Sequence, residues 1–268
     1  MTDKTAEKAA LAPLDDLLAA VRRSHDRLGP ALAELPTDRL SSPSYHDWSI
    51  AQVLSHLGSG AEIFRMYVEA GTAGTPAPTI DDLHPVWDRW NAMTPVEQRD
   101  GFLVSDLALL DAFAAVPAGE RDGWRLEMFG AEQTLSTVAR MRLGEHTLHS
   151  WDVLVALDPA ATLPQDAVDL MVDSMDPLVE RFGKSDQPVV TRLELTDPAR
   201  AFVLETHPDG GKLAPAGDDD RPGGGTLGLP AEAFVRLLYG RLDPDHTPGS
   251  VRTDGADLDV LRRAFPGV

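Results

Sequence analysis

Apolar residues recur at three- and four-residue steps through most of the first 160 positions, the spacing of amphipathic helices. Leu14, Leu17, Leu18, Val21, His25 and Leu28 mark the first helix. Pro13 suits its first turn, Gly29-Pro30 weakens or kinks it, and Pro36 follows its end. His25 lies on the apolar stripe and reads as a hydrogen-bonded core histidine. Ser49-Ile50-Ala51-Gln52 is a capping box that opens a second helix. Its stripe is Ile50, Val53, Leu54, Leu57, Ala61, Phe64 and Val68; it reaches about Ala70, with Gly71 as its stop. His56 sits beside that stripe, able to point into a bundle interior near its edge.

Residues 71–84, rich in Gly, Thr, Pro and Asp, predict a long loop with His84 on the surface. A third helical region over 85–116 breaks at Thr94-Pro95-Val96-Glu97, a second capping box, leaving Val96 to Val116 as the main helix. Trp87 and Trp90 are expected in the core or a cleft wall. Trp124 to Phe129 reads as a loop or short extended segment. A fourth helix is predicted from about Thr134 to Ala156. After Asp158-Pro159 the pattern changes. One helix is expected over Ala167–Phe182, and then Val189 to Leu195 and Ala201 to Thr206 alternate as strands do. Asp209-Gly210-Gly211 is a hairpin signal. Thr226–Leu229 and Val251–Thr253 suit short strands, and Pro230–Gly240 and Ala256–Ala264 suit helices. The acidic, Gly-rich stretch 217–225 reads as a solvated loop; no Gly-Lys-Ser/Thr follows its glycines, so it is not a phosphate loop. The fold class expected is therefore α+β: a four-helix bundle over residues 10–160, then a small α/β domain over 164–268.

Composition narrows the function. The 268 residues carry 43 acidic and 24 basic side chains, a net charge of −19, which argues against nucleic acid and anionic membrane surfaces as partners. There is no cysteine, which excludes disulfides, a cysteine nucleophile and thiolate metal ligands. Residues 1–10 read as a frayed polar tail without an apolar signal core, so a cytoplasmic protein is expected, monomeric or homodimeric. Abundant Ala, and Arg in place of Lys, hint at a GC-rich genome.

The fourth predicted helix contains an anomaly: Glu145, His149 and Asp152 fall on a face that a bundle should bury. Burial of such groups costs several kcal/mol each, by order of magnitude, unless they are paired or metal-bound. Residues i and i+4 of a helix share a face, so Glu145 and His149 project side by side, and Asp152 can orient a ligand from behind. With His56 they make two imidazoles and one carboxylate, a set that leaves tetrahedral zinc an open position. His146 is the rival, since His146 and His149 at i and i+3 also share a face.

Trp48-Ser49-Ile50-Ala51-Gln52-Val53-Leu54-Ser55-His56-Leu57 resembles the W-[ST]-x-x-[DQ]-[VL]-x-x-H-[LI] signature of the DinB-like, mycothiol-dependent maleylpyruvate isomerase superfamily. Glu145 to Asp152 resembles its E-x-x-x-H-x-[WYH]-D signature. The resemblance covers residues 10–160 well and is weaker after 165; the 217–225 loop has no counterpart. It implies a DinB-like four-helix bundle holding zinc, or another divalent metal, through His56, Glu145 and His149. It also implies an actinobacterial enzyme that uses mycothiol on a small electrophile, as an S-transferase or a cis-trans isomerase. Phe234 to Arg241 resembles the family's C-terminal helix ending in L-x-G-R, and Arg241 is the expected ligand for a thiol or substrate carboxylate. Two readings stay open beside it: a metal-dependent hydrolase using metal-bound water, and a non-enzymatic small-molecule binding or resistance protein.

Overall fold

The computed structural model describes residues 12–45, 47–128, 130–217, 220 and 222–267. The tail expected over residues 1–10, Phe129 and part of the 217–225 loop lie outside the described residues. The chain divides into two compact units, one over Leu11–Thr162 and one from Leu163 onward.

In the first unit four long helices, α1 (Leu14–Glu34), α2 (Ile50–Ala73), α4 (Pro95–Ala115) and α5 (Leu135–Val155), pack in a ring: α1 on α5 and α4, α2 on α4 and α5. Leu28, Leu32, Leu40, Ile50, Leu54, Leu57, Phe102 and Val153 form one part of their core, each fully or almost fully buried. The capping box at the start of α2 is present: Ser49 N–H donates to Gln52 Oε1 at 2.8 Å, and Gln52 N–H donates to Ser49 Oγ at 3.2 Å. Thr94 and Glu97 open α4 in the same way.

Two local expectations are corrected. Gly71 does not end α2; the helix continues to Ala73, and Gly74 at φ 65° caps it. Gly71 serves close packing instead, because a Cβ there would fall 2.3 Å from the Trp124 ring. The expected long loop shrinks, since a fifth helix, α3 (Ile80–Ala92), starts inside it. Thr79 N–H donates to Asp82 Oδ2 at 2.8 Å, a cap hidden within a Pro-rich stretch. The short extended segment expected after Trp124 is present as β1 (Arg125–Met128), which pairs with β2 (Ala131–Thr134) in a hairpin; Gly130, at φ 79°, lies between them.

In the second unit the expected helix Ala167–Phe182 is two: α6 (Gln165–Met171) and α7 (Asp176–Phe182), separated by a 3-10 turn. Pro177, which has no backbone N–H to donate, sits in the first turn of α7 and divides them. A five-stranded mixed sheet follows, made of β3 (Val189–Thr196), β4 (Arg200–His207), β5 (Gly210–Pro215), β6 (Thr226–Pro230) and β7 (Arg252–Asp254). Its order is β5-β4-β3-β6-β7, with β3 and β6 parallel and the other pairs antiparallel. Helices α8 (Ala231–Leu238) and α9 (Leu258–Ala264) complete the unit. Leu193, Leu195, Leu204, Leu227, Leu229 and Phe234 form its buried layer. Arg192 anchors the acidic loop, donating from Nη1 to the Gly217 carbonyl at 2.7 Å. No described helix is long and apolar enough to cross a membrane.

Candidate metal centre

Helices α2 and α5 carry His56, Glu145 and His149 to one point, where one donor atom from each lies within 4.8 Å of the others. Both imidazole Nε2 atoms converge on one carboxylate oxygen: Glu145 Oε2 is 2.9 Å from His56 and 3.6 Å from His149. His149 Nδ1 lies 2.8 Å from Asp152 Oδ2, and Asp152 is buried. A carboxylate in that position accepts the Nδ1 proton, fixes the tautomer and leaves Nε2 with its lone pair outward. The site is reachable, since 42% of the Glu145 side chain and 39% of the His56 side chain are exposed. Trp48 forms a wall beside it, nearly parallel to His149 at a centroid distance of 6.2 Å and 5.3 Å from His56.

The electrostatics suit a cation. Burial pushes the Glu145 carboxyl up, but the His56 hydrogen bond and the charges of His149, His56 and Arg142 outweigh it and bring it to about 2. Burial lowers the His149 imidazole, and the bond to Asp152 only partly restores it. Glu145 is therefore a carboxylate and His149 a neutral imidazole near pH 7, the protonation states that metal ligation requires. The donor set, two imidazole nitrogens and one carboxylate oxygen, fits zinc with a position left open.

A second cluster, His25, Asp106 and His146, also meets within 4.8 Å and is entirely buried. Its chemistry differs. Asp106 accepts from Arg142 Nη2 at 2.7 Å, His25 Nδ1 at 2.8 Å and His146 Nε2 at 3.0 Å. His146 Nδ1 in turn receives the hydroxyls of Ser24 at 2.9 Å and Ser150 at 3.0 Å. Arg142 already balances the Asp106 charge, so a divalent cation would leave a large uncompensated positive charge in the core. This group is a hydrogen-bonded network centred on the Asp106 carboxylate, in which the buried Arg142 Nε has no partner among the described residues. It accounts for His25 as a core histidine and turns His146 away from His56.

Burial pushes the Asp106 carboxyl up, but the charges of His146 and Arg142 and the bonds from His146 and His25 hold it well below the usual range. Burial keeps His146 itself low and hence neutral at pH 7, so the permanent charge of Arg142 is the partner that counts there. A folded-state pKa below the unfolded value of about 3.9 gives stability that is full above that value, begins to fall below it and is lost as pH falls through the lower folded value. The melting temperature should therefore drop steeply below about pH 4, and Asp106→Asn, already destabilised, should show a shallower drop in the same scans.

Asp106 carries a signal in the sequence itself. It lies between Phe102 and Leu109, at i+4 and i−3, on the buried stripe of α4. Trp48 was likewise legible only as a motif letter. His84 is exposed, as expected. Arg241, in the second unit, is buried and donates from Nη1 to the Tyr239 carbonyl at 2.8 Å.

Residues 39–154 match the family model described as the mycothiol maleylpyruvate isomerase N-terminal domain. Two Mycobacterium tuberculosis proteins, MT0041 and Rv0036c, are each 29% identical over 150 residues, covering 52% of this chain and 56% of theirs. The chain thus spans about half the length of the curated relatives it matches. Two crystal structures share the fold at 14% identity, each covering 92% of this chain and 95% of the other. One is a mycothiol-dependent maleylpyruvate isomerase, with a TM-score of 0.66; the other is a histidine-to-alanine mutant under the same name, with a TM-score of 0.67. Residues 39–154 carry the mycothiol maleylpyruvate isomerase N-terminal domain signature, on a chain whose fold is that of the solved mycothiol-dependent maleylpyruvate isomerase.

Proposed function

We propose that the protein is a metal-dependent enzyme that employs a low-molecular-weight thiol, mycothiol, on a small electrophile, most simply as a cis-trans isomerase of the maleylpyruvate type. The observation that carries this reading is the convergence of His56, Glu145 and His149 from two helices, with His149 held from behind by Asp152. These three residues would hold zinc, and a dication there supplies the positive charge that favours a thiolate over a thiol near neutral pH. The thiol supplies a nucleophile that the cysteine-free chain lacks: reversible addition to a conjugated double bond permits rotation before elimination.

The chain's own groups have definable parts. Asp152 fixes the His149 tautomer. Glu145 contributes a full negative charge to the ligand set. Trp48 walls one side of the opening and limits the water reaching it. Arg241 is proposed, from the likeness of Phe234–Arg241 to the family helix, as the guanidinium that binds a thiol or substrate carboxylate. S-transfer would use the same groups and differ only in whether the sulfur stays on the product.

The test is turnover by zinc-loaded protein with and without mycothiol, against maleylpyruvate and a panel of small electrophiles, read by mass spectrometry. The expected result is a rearranged or thiol-bearing product only when mycothiol is present. Turnover in thiol-free buffer would overturn this reading in favour of the hydrolase.

A further inference from the structure

We infer that Asp106 is the positioning residue of the metal centre: it sets the rotation of α5 that aims Glu145 and His149 at His56. The inference rests on the metal-binding reading of those three residues.

Helix α5 presents two polar stripes. Arg142, His146 and Ser150 follow at four-residue steps on one, and all are buried. Glu145, His149 and Asp152 form the other. Successive residues of an α-helix lie about 100° apart, so His146 and Glu145 cannot move independently: a turn of the helix that displaces one stripe displaces the other. The apolar neighbours alone fix that rotation loosely, because α5 is hydrophobic on several sides; Leu143, Leu148, Trp151 and Val153 are all buried. Directional bonds fix it better.

The node of those bonds is Asp106 on α4, fully buried. Its Oδ1 takes the Arg142 guanidinium at 2.7 Å, and its Oδ2 takes His146 Nε2 at 3.0 Å, so one carboxylate grips α5 one turn apart. His25 on α1 bonds the same Oδ2 at 2.8 Å, and Ser24 on α1 bonds the far nitrogen of His146 at 2.9 Å. Three helices thus meet at one charge. Charge-assisted bonds of this kind are short and directional, and one buried carboxylate that ties three helices favours one arrangement, although the buried Arg142 Nε has no partner among the described residues. Asp106, His146 and Arg142 are buried in the core, so Asp106 acts through α5 and not on a ligand.

The experiment measures zinc affinity by chelator competition, and the d–d absorption of the cobalt-loaded protein, for wild type, Asp106→Asn and His25→Gln. Near-ultraviolet circular dichroism selects the temperature at which each is folded. Asn keeps the volume of Asp but removes the charge and sets an amide donor against donors. The expected result is at least a tenfold loss of zinc affinity in folded Asp106→Asn, with an altered cobalt spectrum, and a smaller loss in His25→Gln. Folded variants with wild-type affinity and spectrum, even if less stable, would overturn the positioning role and leave the metal reading intact. Should Asp106→Asn not fold, His25→Gln decides by the same two readouts. A wild-type protein that binds neither ion would end both readings.

Discussion

His149→Ala should lower zinc affinity more than about a hundredfold, since loss of an outer partner of a ligand alone costs about 10- to 100-fold. His56→Ala should do the same. The reason is geometric. The donor atoms lie within 4.8 Å of one another, so each contributes to one ion, and two remaining ligands leave half a tetrahedral sphere to water. Asp152→Asn should fall between these variants and wild type, about 10- to 100-fold weaker, because an amide at 2.8 Å from Nδ1 no longer demands the Nδ1–H tautomer. His84→Ala, at an exposed position, is the control and should change nothing. His146→Ala should cost stability first and affinity much less, because its nitrogens bond Asp106, Ser24 and Ser150 and not the metal ligands. Zinc content after dialysis and chelator competition measure these five and Glu145→Ala. If His146→Ala strips the metal while Glu145→Ala retains it, the ligand set is wrongly assigned.

Reading these groups from the sequence worked where one face of one helix carried the information. The i, i+4 spacing of Glu145 and His149 is a local property, and so are the capping boxes at Ser49 and Thr94. His56 joins them through its place beside the apolar stripe of α2, and the motif resemblance supports that pairing, because nothing local says which face of α2 meets α5. The same limit explains what was missed. Asp106 is one acidic residue among apolar ones, and its meaning appears only when α1 and α5 bring His25, His146 and Arg142 to it. The start of α3 is hidden because the Gly, Thr, Pro and Asp content of residues 71–84, with Pro76 and Pro78, reads as a loop and masks the Thr79–Asp82 cap. Pro85 is inside the helix, where it removes a single backbone bond without ending the element. Gly71 was read as a stop for the reason most helical glycines are, whereas the space beside it belongs to Trp124, far along the chain. In the second unit the alternation of Val189 to Leu195 was enough for β3, but its parallel pairing with β6 was not in the pattern.

Gly58→Ala and Gly60→Ala should change stability in opposite directions, although both replace a glycine of α2 by the best helix former. In an isolated helix each substitution would gain about 1 kcal/mol. At Gly60 the new Cβ would meet only Arg142 Nη1 at 3.6 Å, an ordinary contact, so most of that gain should survive. At Gly58 it would fall 2.1, 2.3 and 2.9 Å from three atoms of the Trp90 ring. The ring cannot step aside: Trp90 is 3% exposed, its other side faces Gly101, and its Nε1 donates to Glu62 at 3.0 Å. Gln98 Nε2 also holds the Trp90 carbonyl at 3.1 Å. Overpacking of a fixed ring costs about 1–3 kcal/mol and can cost more when hydrogen bonds go with it, which outweighs the propensity gain. Urea titration should give Gly60→Ala about 0.5–1 kcal/mol above wild type and Gly58→Ala about 2 kcal/mol or more below it. At about 2–4 °C of melting temperature per kcal/mol for a chain of this size, the two variants should separate by roughly 6–12 °C. Because Gly58 lies two residues from His56, the loosened α2–α3 contact should also weaken zinc binding in Gly58→Ala, while Gly60→Ala binds as wild type does. Equal melting temperatures for the two variants would mean that Trp90 does not occupy the groove between α2 and α4.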